Sequence, residues 1–383
     1  MSPEAADDWF TACADPGSSR GRATRTGSAV AALLDCIHQR HGIHASHDDP
    51  PLRPVAGRAV VMCQTSGSGG RSKTILRSQR SWIASFRVNR QVFGLGPADR
   101  YAVLGAPGHS LALYGAVEAL HLGAALAVLA GDSPRSQLDQ LQGCTVLYAT
   151  PTQLLRLQMV GQGRVLPALR HVFCGGGRLD AACRQGMARL CPNAVLREFY
   201  GASETSFATL ADETTPPGSV GRAYPGVRLR IGTGGQIWIA SPYLAMSYAE
   251  PDAPPFCRDG DFITVGDIGH LDGDGNLFLQ GRQNRMVTVA DRNLFLEDVE
   301  SVLIGAGAGP SAVIALPDPL RGHAIIAVVE GPGSDDHARA LRRACRAALG
   351  DHAAPRRIHF LERMPLLPSG KPDLARLTRQ FAP

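Results

Sequence analysis

From Arg58 onward, short apolar runs suited to strands alternate with longer helix-forming segments, and this alternation constrains the fold more than any other feature. Strand-like runs fall at Ala59–Gln64, Tyr101–Gly105, Ala124–Leu129, Thr145–Ala149, His171–Cys174 and Ala194–Phe199. Helical stretches separate them at Trp82–Phe93, Ser110–Leu122, Pro151–Met159 and Asp180–Leu190. Such an order predicts an α/β layer with mainly parallel strands. After Gly218 the pattern shortens to Gly-punctuated strands at Val227–Ile231, Gly235–Ala240 and Asn276–Gln280, a smaller β-rich subdomain. Beyond Arg282, helix Glu297–Ile304, strands Ser311–Leu316 and Ala324–Glu330, helix Asp335–Leu349 and strand Arg356–Leu361 predict a separate small α+β domain. Residues 1–25, rich in Ser, Gly, Arg and Asp, read as a flexible tail before an amphipathic helix at Ser28–His41. The expected organisation is thus the tail, a large N-terminal α/β domain over 26–281 and a small mobile C-terminal lid over 282–383.

Composition removes several classes. No apolar run reaches the ~18 residues a membrane helix needs; the longest, around Leu120–Ala130, is broken by His121 and Gly123. Glu4, Asp7 and Asp8 occupy an N-terminus without an apolar core, so no secretory signal is expected and the cytoplasm is the default. Nine cysteines contain no C-x-x-C pair, which argues against zinc and a disulfide framework. Cys63, Cys144 and Cys174 lie in apolar runs and read as core residues. A net charge of +5 from dispersed basic residues does not indicate nucleic acid, and it suits an acidic protein partner or a polyphosphate ligand. Of 39 basic residues only Lys73 and Lys371 are lysine. Lysine and arginine are not interchangeable where a compact point charge enters a narrow site.

Both lysines sit in candidate phosphate motifs. The strand at Ala59–Gln64 runs into Thr65-Ser66-Gly67-Ser68-Gly69-Gly70-Arg71-Ser72-Lys73. Glycines and hydroxyls let backbone wrap close to phosphate oxygens, and a lysine adds mobile positive charge. Residues 67–74 nearly match the Walker pattern, with Ser72 in place of its second glycine. The alternative is the Thr/Ser/Gly loop of adenylate-forming enzymes, and these residues alone leave the choice open.

The rest of the chain decides it. Downstream come Pro107-Gly108-His109-Ser110, Gly175-Gly176-Gly177, Phe199-Tyr200-Gly201-Ala202-Ser203-Glu204-Thr205, Gly218-Ser219-Val220-Gly221 and Thr264-Val265-Gly266-Asp267. Gly281-Arg282, Glu297-Asp298-Val299-Glu300 and Pro368-Ser369-Gly370-Lys371-Pro372-Asp373 follow. In this order the set resembles the adenylate-forming superfamily of acyl-CoA synthetases, peptide-synthetase adenylation domains and luciferases, over roughly residues 58–377.

The resemblance implies ATP-dependent activation of a carboxylic acid as an acyl-adenylate with release of pyrophosphate. It then implies transfer to a phosphopantetheine thiol, on coenzyme A or an acyl carrier protein. ATP and Mg²⁺ are the implied cofactors. Thr65, Ser66, Gly67, Ser68, Gly70 and Lys73 would hold phosphates. Tyr200 and the backbone of Gly175, Gly176 and Gly177 would take adenine, with Gly201 and Ser203 beside them. Asp267 would accept the ribose hydroxyls and Arg282 would contact ribose or phosphate. Glu204 would bind the metal, since magnesium favours one or two carboxylates plus phosphate oxygens. His109 would gate the acid's carboxylate. Lys371 would neutralise the two anions that meet in the adenylation transition state. Residues near His109, Ser110, Leu113, Gly176, Ala202 and Phe207 would wall a small-to-apolar acid pocket for aryl or medium acyl chains.

Four departures stand out. Ser68-Gly69-Gly70 lacks the second hydroxyl common in the family loop. Asn284 and Arg285 stand where related enzymes carry a different hinge. Asp291 replaces the usual glycine in the loop lining the pantetheine tunnel. Only about 60 residues precede the phosphate loop, fewer than in typical relatives, which predicts an exposed face open to self-association or a protein partner. A degenerate, non-catalytic scaffold that binds nucleotide or a partner is the alternative.

Overall fold

The computed structural model describes residues 8–12, 25–65, 73–177, 179, 181–367 and 372–382. Its spine is a nine-stranded sheet whose two halves differ in direction. Ala125–Val128, Arg100–Val103, Val146–Ala149, His171–Gly175 and Val195–Ala202 lie side by side and parallel. The sheet then continues antiparallel through Ser206–Ala211, Ser219–Ala223, Asn276–Arg282 and Asp267–Leu271. The sequence expectation of mainly parallel pairing therefore holds for one half only. The strand expected at Asn276–Gln280 extends the main sheet and does not belong to the small subdomain. That subdomain is a four-stranded sheet of Arg228–Ile231, Ile237–Ala240, Phe262–Thr264 and Cys257–Asp259.

A second correction concerns the strand at Val60–Thr65. It belongs to a separate five-stranded sheet with Ser247–Tyr248, Lys73–Ser78, Gly42–Ala45 and Leu52–Val55. It pairs antiparallel with Lys73–Ser78, so the next described element is a strand and not a helix. A Walker loop needs the latter.

Local chemistry sets the helix ends. Ser78 caps helix Gln79–Phe93 by accepting from the Ser81 N–H, and Gly94, at φ 66°, ends it. Thr150 and Gln153 form a reciprocal capping box at Pro151–Val160, with proline in the first turn. Helix Ser110–His121 packs through Gly115, where a Cβ would lie 2.8 Å from the Tyr148 ring.

The expectation of a flexible tail over 1–25 fails at residues 8–12. Phe10 is buried against Trp82 and Phe86, and its N–H donates to Gln79 Oε1 at 2.7 Å. Helix Arg25–His38 buries Leu33 and Ile37 in the same cluster. Apolar anchors hold this segment although its composition is polar.

The C-terminal part adds the hairpin Met286–Val289/Arg292–Phe295, helix Leu296–Gly305, strands Ser311–Asp318, Gly322–Glu330 and Arg357–Leu361, helix Asp335–Leu349 and helix Leu374–Phe381. The hairpin and the last helix lie beyond the elements expected from sequence.

A buried carboxyl stands in the core. Glu118 has no exposed surface; Tyr148 Oη donates to one carboxylate oxygen and Asn89 Nδ2 to the other, each at 2.6 Å. Burial pushes this carboxyl from 4.5 up to about 7, against the lowering by those hydrogen bonds, while Asp99 adds to the rise. A carboxyl protonated more readily in the folded state stabilises below its unfolded value and loses that contribution as pH climbs through the folded one. Stability should therefore fall by roughly 3 kcal/mol from this group as pH rises through that window. Chemical denaturation across the window should show the slope in the wild type and not in Glu118→Gln; an equal slope in both would assign it elsewhere.

Candidate active site

The strands His171–Gly175 and Val195–Ala202 end side by side, next to where the sheet passes from parallel to antiparallel pairing. His171–Gly175 ends there on bare backbone. Gly175 admits no side chain, since a Cβ would sit 2.2 Å from the Phe199 ring, and Gly176 takes φ +87°. Gly176 and Gly177 are exposed, so a flat ligand can approach their peptide planes.

On the adjacent strand, Gly175 pairs with Phe199, which sets Tyr200 and Gly201 just beyond. Tyr200 Oη donates to Asp267 Oδ2 at 2.8 Å. Arg282 Nε donates to Asp267 Oδ1 at 3.0 Å, and Asp267 and Arg282 are direct cross-strand partners. Burial, then the charge of Asp267, hold the Tyr200 phenol well above its ordinary range, so it remains a donor. Each Asp267 oxygen keeps further acceptor capacity. The structure thus joins three of the residues singled out from sequence.

A second group forms around Tyr248. Its hydroxyl donates to Glu204 Oε1 at 3.1 Å, and the Lys73 ammonium lies 4.5 Å from its ring centroid. Cation and carboxylate therefore share one aromatic support. Thr65 pairs with Lys73 in register and donates its hydroxyl to the Lys73 carbonyl at 3.1 Å, closing the base of the loop.

The turn that carries Glu204 is built around Arg77, which sequence reasoning missed. This guanidinium is 2% exposed. It donates to the Ser203 carbonyl at 2.5 Å, Ser206 Oγ at 2.7 Å and the Tyr243 carbonyl at 3.1 Å. Burial lowers it to about 10, with Cys63 and Glu204 opposing that fall, so it stays charged at neutral pH. It also holds Ser206 at φ 56°, a left-handed conformation unusual for a residue with a Cβ. Arg77 carried no sequence signal among so many arginines, and Tyr248 had none either.

His109 precedes helix Ser110–His121, and its ring packs 4.6 Å from that of His47. Gly108 allows this approach, since a Cβ would lie 2.3 Å from the Ser46 carbonyl. His47 Nε2 is buried with no hydrogen-bond partner among the described residues, and burial lowers its basicity more than Asp48 raises it. Ser66, Gly67, Ser68, Gly70 and Lys371 lie outside the described residues.

Among the described residues no cluster of three His, Cys, Asp or Glu could hold a metal. A single carboxylate at Glu204 fits magnesium, which takes one or two carboxylates and completes its shell with phosphate and water.

The departures have physical consequences. Arg285 pairs with Glu297 at 3.2 Å and Glu300 at 2.8 Å and donates to the Val313 carbonyl, tying the hinge region to helix Leu296–Gly305. Ala290 and Asp291 form the two-residue turn of the 286–295 hairpin with φ 48° and 61°, a geometry that favours glycine or asparagine.

A pinned aspartate, a bare glycine run and a carboxylate and lysine that share one tyrosine suit an enzyme that handles a nucleotide. The AMP-binding enzyme family matches residues 13–249, and its C-terminal domain matches 298–371. The chain is 31% identical over 368 residues to YhfT, an uncharacterized acyl–CoA ligase of Bacillus subtilis, covering 92% of this chain and 74% of that protein. It is 28% identical to the fatty acid–[acyl-carrier-protein] ligase ScoC of Streptomyces coeruleorubidus, covering 89% and 71%. The amide bond synthetase McbA of Marinactinospora thermotolerans superposes with a TM-score of 0.74 at 27% identity, covering 87% of this chain and 72% of that one. The chain belongs to the AMP-binding, adenylate-forming enzymes. It is an AMP-forming ligase that activates a carboxylic acid as the acyl-adenylate, and nothing favours the non-catalytic alternative.

Two variants test the local readings. Arg77→Met strands buried acceptors and should lower stability by roughly 3 kcal/mol and slow adenylate formation. Full stability by urea unfolding would remove Arg77 as the anchor of the turn. Asp291→Gly relieves left-handed strain and should raise stability by about 1 kcal/mol. A decrease in the same measurement would show that the Asp291 side chain is needed there.

Proposed function

We propose that the chain activates an apolar acyl or aryl acid and passes it to a phosphopantetheine thiol, with magnesium as cofactor. A carboxylate oxygen of the acid bonds to the α-phosphorus of ATP, the bond to the bridging oxygen breaks, and pyrophosphate leaves with that electron pair. The observation that carries this reading is Asp267, held by Tyr200 and Arg282 beside the exposed Gly176–Gly177 backbone. Its free lone pairs suit the ribose hydroxyls, and the ring of Tyr200 suits adenine.

Lys73, with Thr65 and the loop residues Ser66, Gly67, Ser68 and Gly70, would take the leaving phosphates. Glu204 would hold magnesium, which would neutralise phosphate charge. His109 would orient the acid's carboxylate, and Lys371 would meet both anions in the transition state. Leu113 and Phe207 are packed inside the core, so the apolar acid rests on the sequence expectation. The domain boundary in this reading falls at Arg282, with the C-terminal part rotating between half-reactions. The names of the ligase relatives support a thiol acceptor.

With Mg²⁺ and a suitable acid from an aryl and acyl panel, the enzyme should release AMP and pyrophosphate and catalyse acid-dependent pyrophosphate exchange. Lys371→Ala should lower adenylate formation by roughly 10²–10³-fold and leave thiol transfer from supplied acyl-adenylate nearly intact. Glu204→Gln should weaken Mg-ATP use. ADP with an acyl-phosphate would contradict the chemistry, equal loss in both half-reactions would contradict the role of Lys371, and transfer to amines in place of every thiol would contradict the acceptor.

A further inference from the structure

The turn after strand Gly42–Ala45 carries a histidine that the chemistry above does not use. That strand runs parallel to Val60–Thr65, with Ala45 beside Cys63, so the chain leaves it next to the start of the loop proposed for phosphate. The His47 N–H donates to Gln64 Oε1 at 2.9 Å, one residue before Thr65. On the other side the Ser46 carbonyl lies against Gly108, where a Cβ would approach to 2.3 Å. The His47 ring packs 4.6 Å from that of His109, tilted by 45°.

These contacts hold one imidazole between two segments whose proposed ligands must touch. His109 would orient the acid's carboxylate, and the segment that begins at Thr65 would take phosphate. In adenylation the acid's oxygen has to come within bonding reach of the α-phosphorus. A side chain fixed against both segments therefore stands beside the path of that oxygen.

His47 Nε2 is buried and meets no hydrogen-bond partner among the described residues. A polar atom buried without a partner is costly, and native proteins keep few of them. Burial holds this imidazole below its ordinary range against the opposing charge of Asp48, so it is uncharged at neutral pH. A neutral imidazole has one N–H and one bare nitrogen. With the proton on Nε2 it is a donor that can hold a carboxylate without quenching it as a full cation would. Its backbone hydrogen bond and the packing on His109 fix the ring before any ligand arrives.

We infer that His47 Nε2–H donates to the carboxylate of the substrate acid, so that His47 and His109 together set the angle at which its oxygen meets the α-phosphorus. The inference rests on the ligase reading and adds a residue to its acid site. His47 keeps its proton throughout: the carboxylate oxygen bonds to phosphorus, and pyrophosphate leaves with the electron pair. The donor reads the carboxylate alone, so it serves aryl and acyl acids alike and does not choose among their tails.

The test compares wild type, His47→Phe and His47→Gln in pyrophosphate exchange with benzoate, octanoate and the other acids of the aryl and acyl panel, varying acid and ATP separately. Phenylalanine keeps a ring against His109 and lacks the donor, whereas glutamine returns an amide N–H near the place of Nε2. In His47→Phe, KM for the acid should rise about tenfold or more, the scale of one hydrogen bond to a charged group, with KM for ATP at its wild-type value. His47→Gln should recover most of that loss. Equal rises for acid and ATP, no recovery with glutamine, or unchanged kinetics in His47→Phe would each overturn the inference. If urea unfolding shows that His47→Phe does not fold, His47→Met against His47→Gln makes the same comparison. Absence of exchange in the wild type with every acid tried would sink the ligase reading separately. Calorimetry with benzoate and octanoate would then decide the role of His47: weaker binding by His47→Phe than by wild type supports it, and equal binding, or none to either, overturns it.

Discussion

The carboxylate of Asp267 is the contact on which the rest of the site depends. It is buried, and each of its oxygens accepts from a different strand of the antiparallel half-sheet or its junction with the parallel half. Tyr200 arrives from the last parallel strand and Arg282 from the strand that leads into the C-terminal part. A buried carboxylate without such donors would cost several kcal/mol, so the pairing fixes both neighbours. Strands Ser206–Ala211 and Ser219–Ala223 lie between those of Tyr200 and Arg282 in the sheet, so the carboxylate joins strands that are not neighbours. Gly176 and Gly177 are exposed past the strand that pairs with that of Tyr200.

A second constraint is the buried guanidinium of Arg77. Its donors reach the Ser203 carbonyl before Glu204, the Ser206 hydroxyl after it and the Tyr243 carbonyl. The strand that supplies Arg77 begins at Lys73, so one extended segment positions both the lysine and the turn of the acidic residue. Tyr248, on the strand paired beside it, contacts both. The lysine and the turn of the acidic residue are thus both tied to a single small sheet.

Much of this was legible in sequence because the chemistry leaves fixed marks. Gly175 and Gly201 have no room for a side chain, and Tyr200, Glu204, Asp267 and Arg282 stand in motifs that follow one another in the order the resemblance implies. The parallel strands announced themselves as short apolar runs. What was hidden depends on contacts distant in the chain. Arg77 looks like any other arginine until Ser203 and Tyr243 fold over it, Tyr248 sits on a strand of two residues, and His47 meets His109 across 62 positions. Phe10 lies in a polar segment, and only its contact with Trp82 and Phe86 reveals an anchor. The mixed direction of the large sheet was missed because strand propensity does not encode the partner.

The central claim is that the acid's own oxygen attacks the α-phosphorus of ATP at this site. It is tested most directly with a substrate acid carrying heavy oxygen in its carboxylate, followed by mass analysis of the products after complete turnover. The account predicts that the label appears in the phosphoryl group of AMP, with unlabelled pyrophosphate. Label in inorganic phosphate, accompanied by ADP, would contradict it.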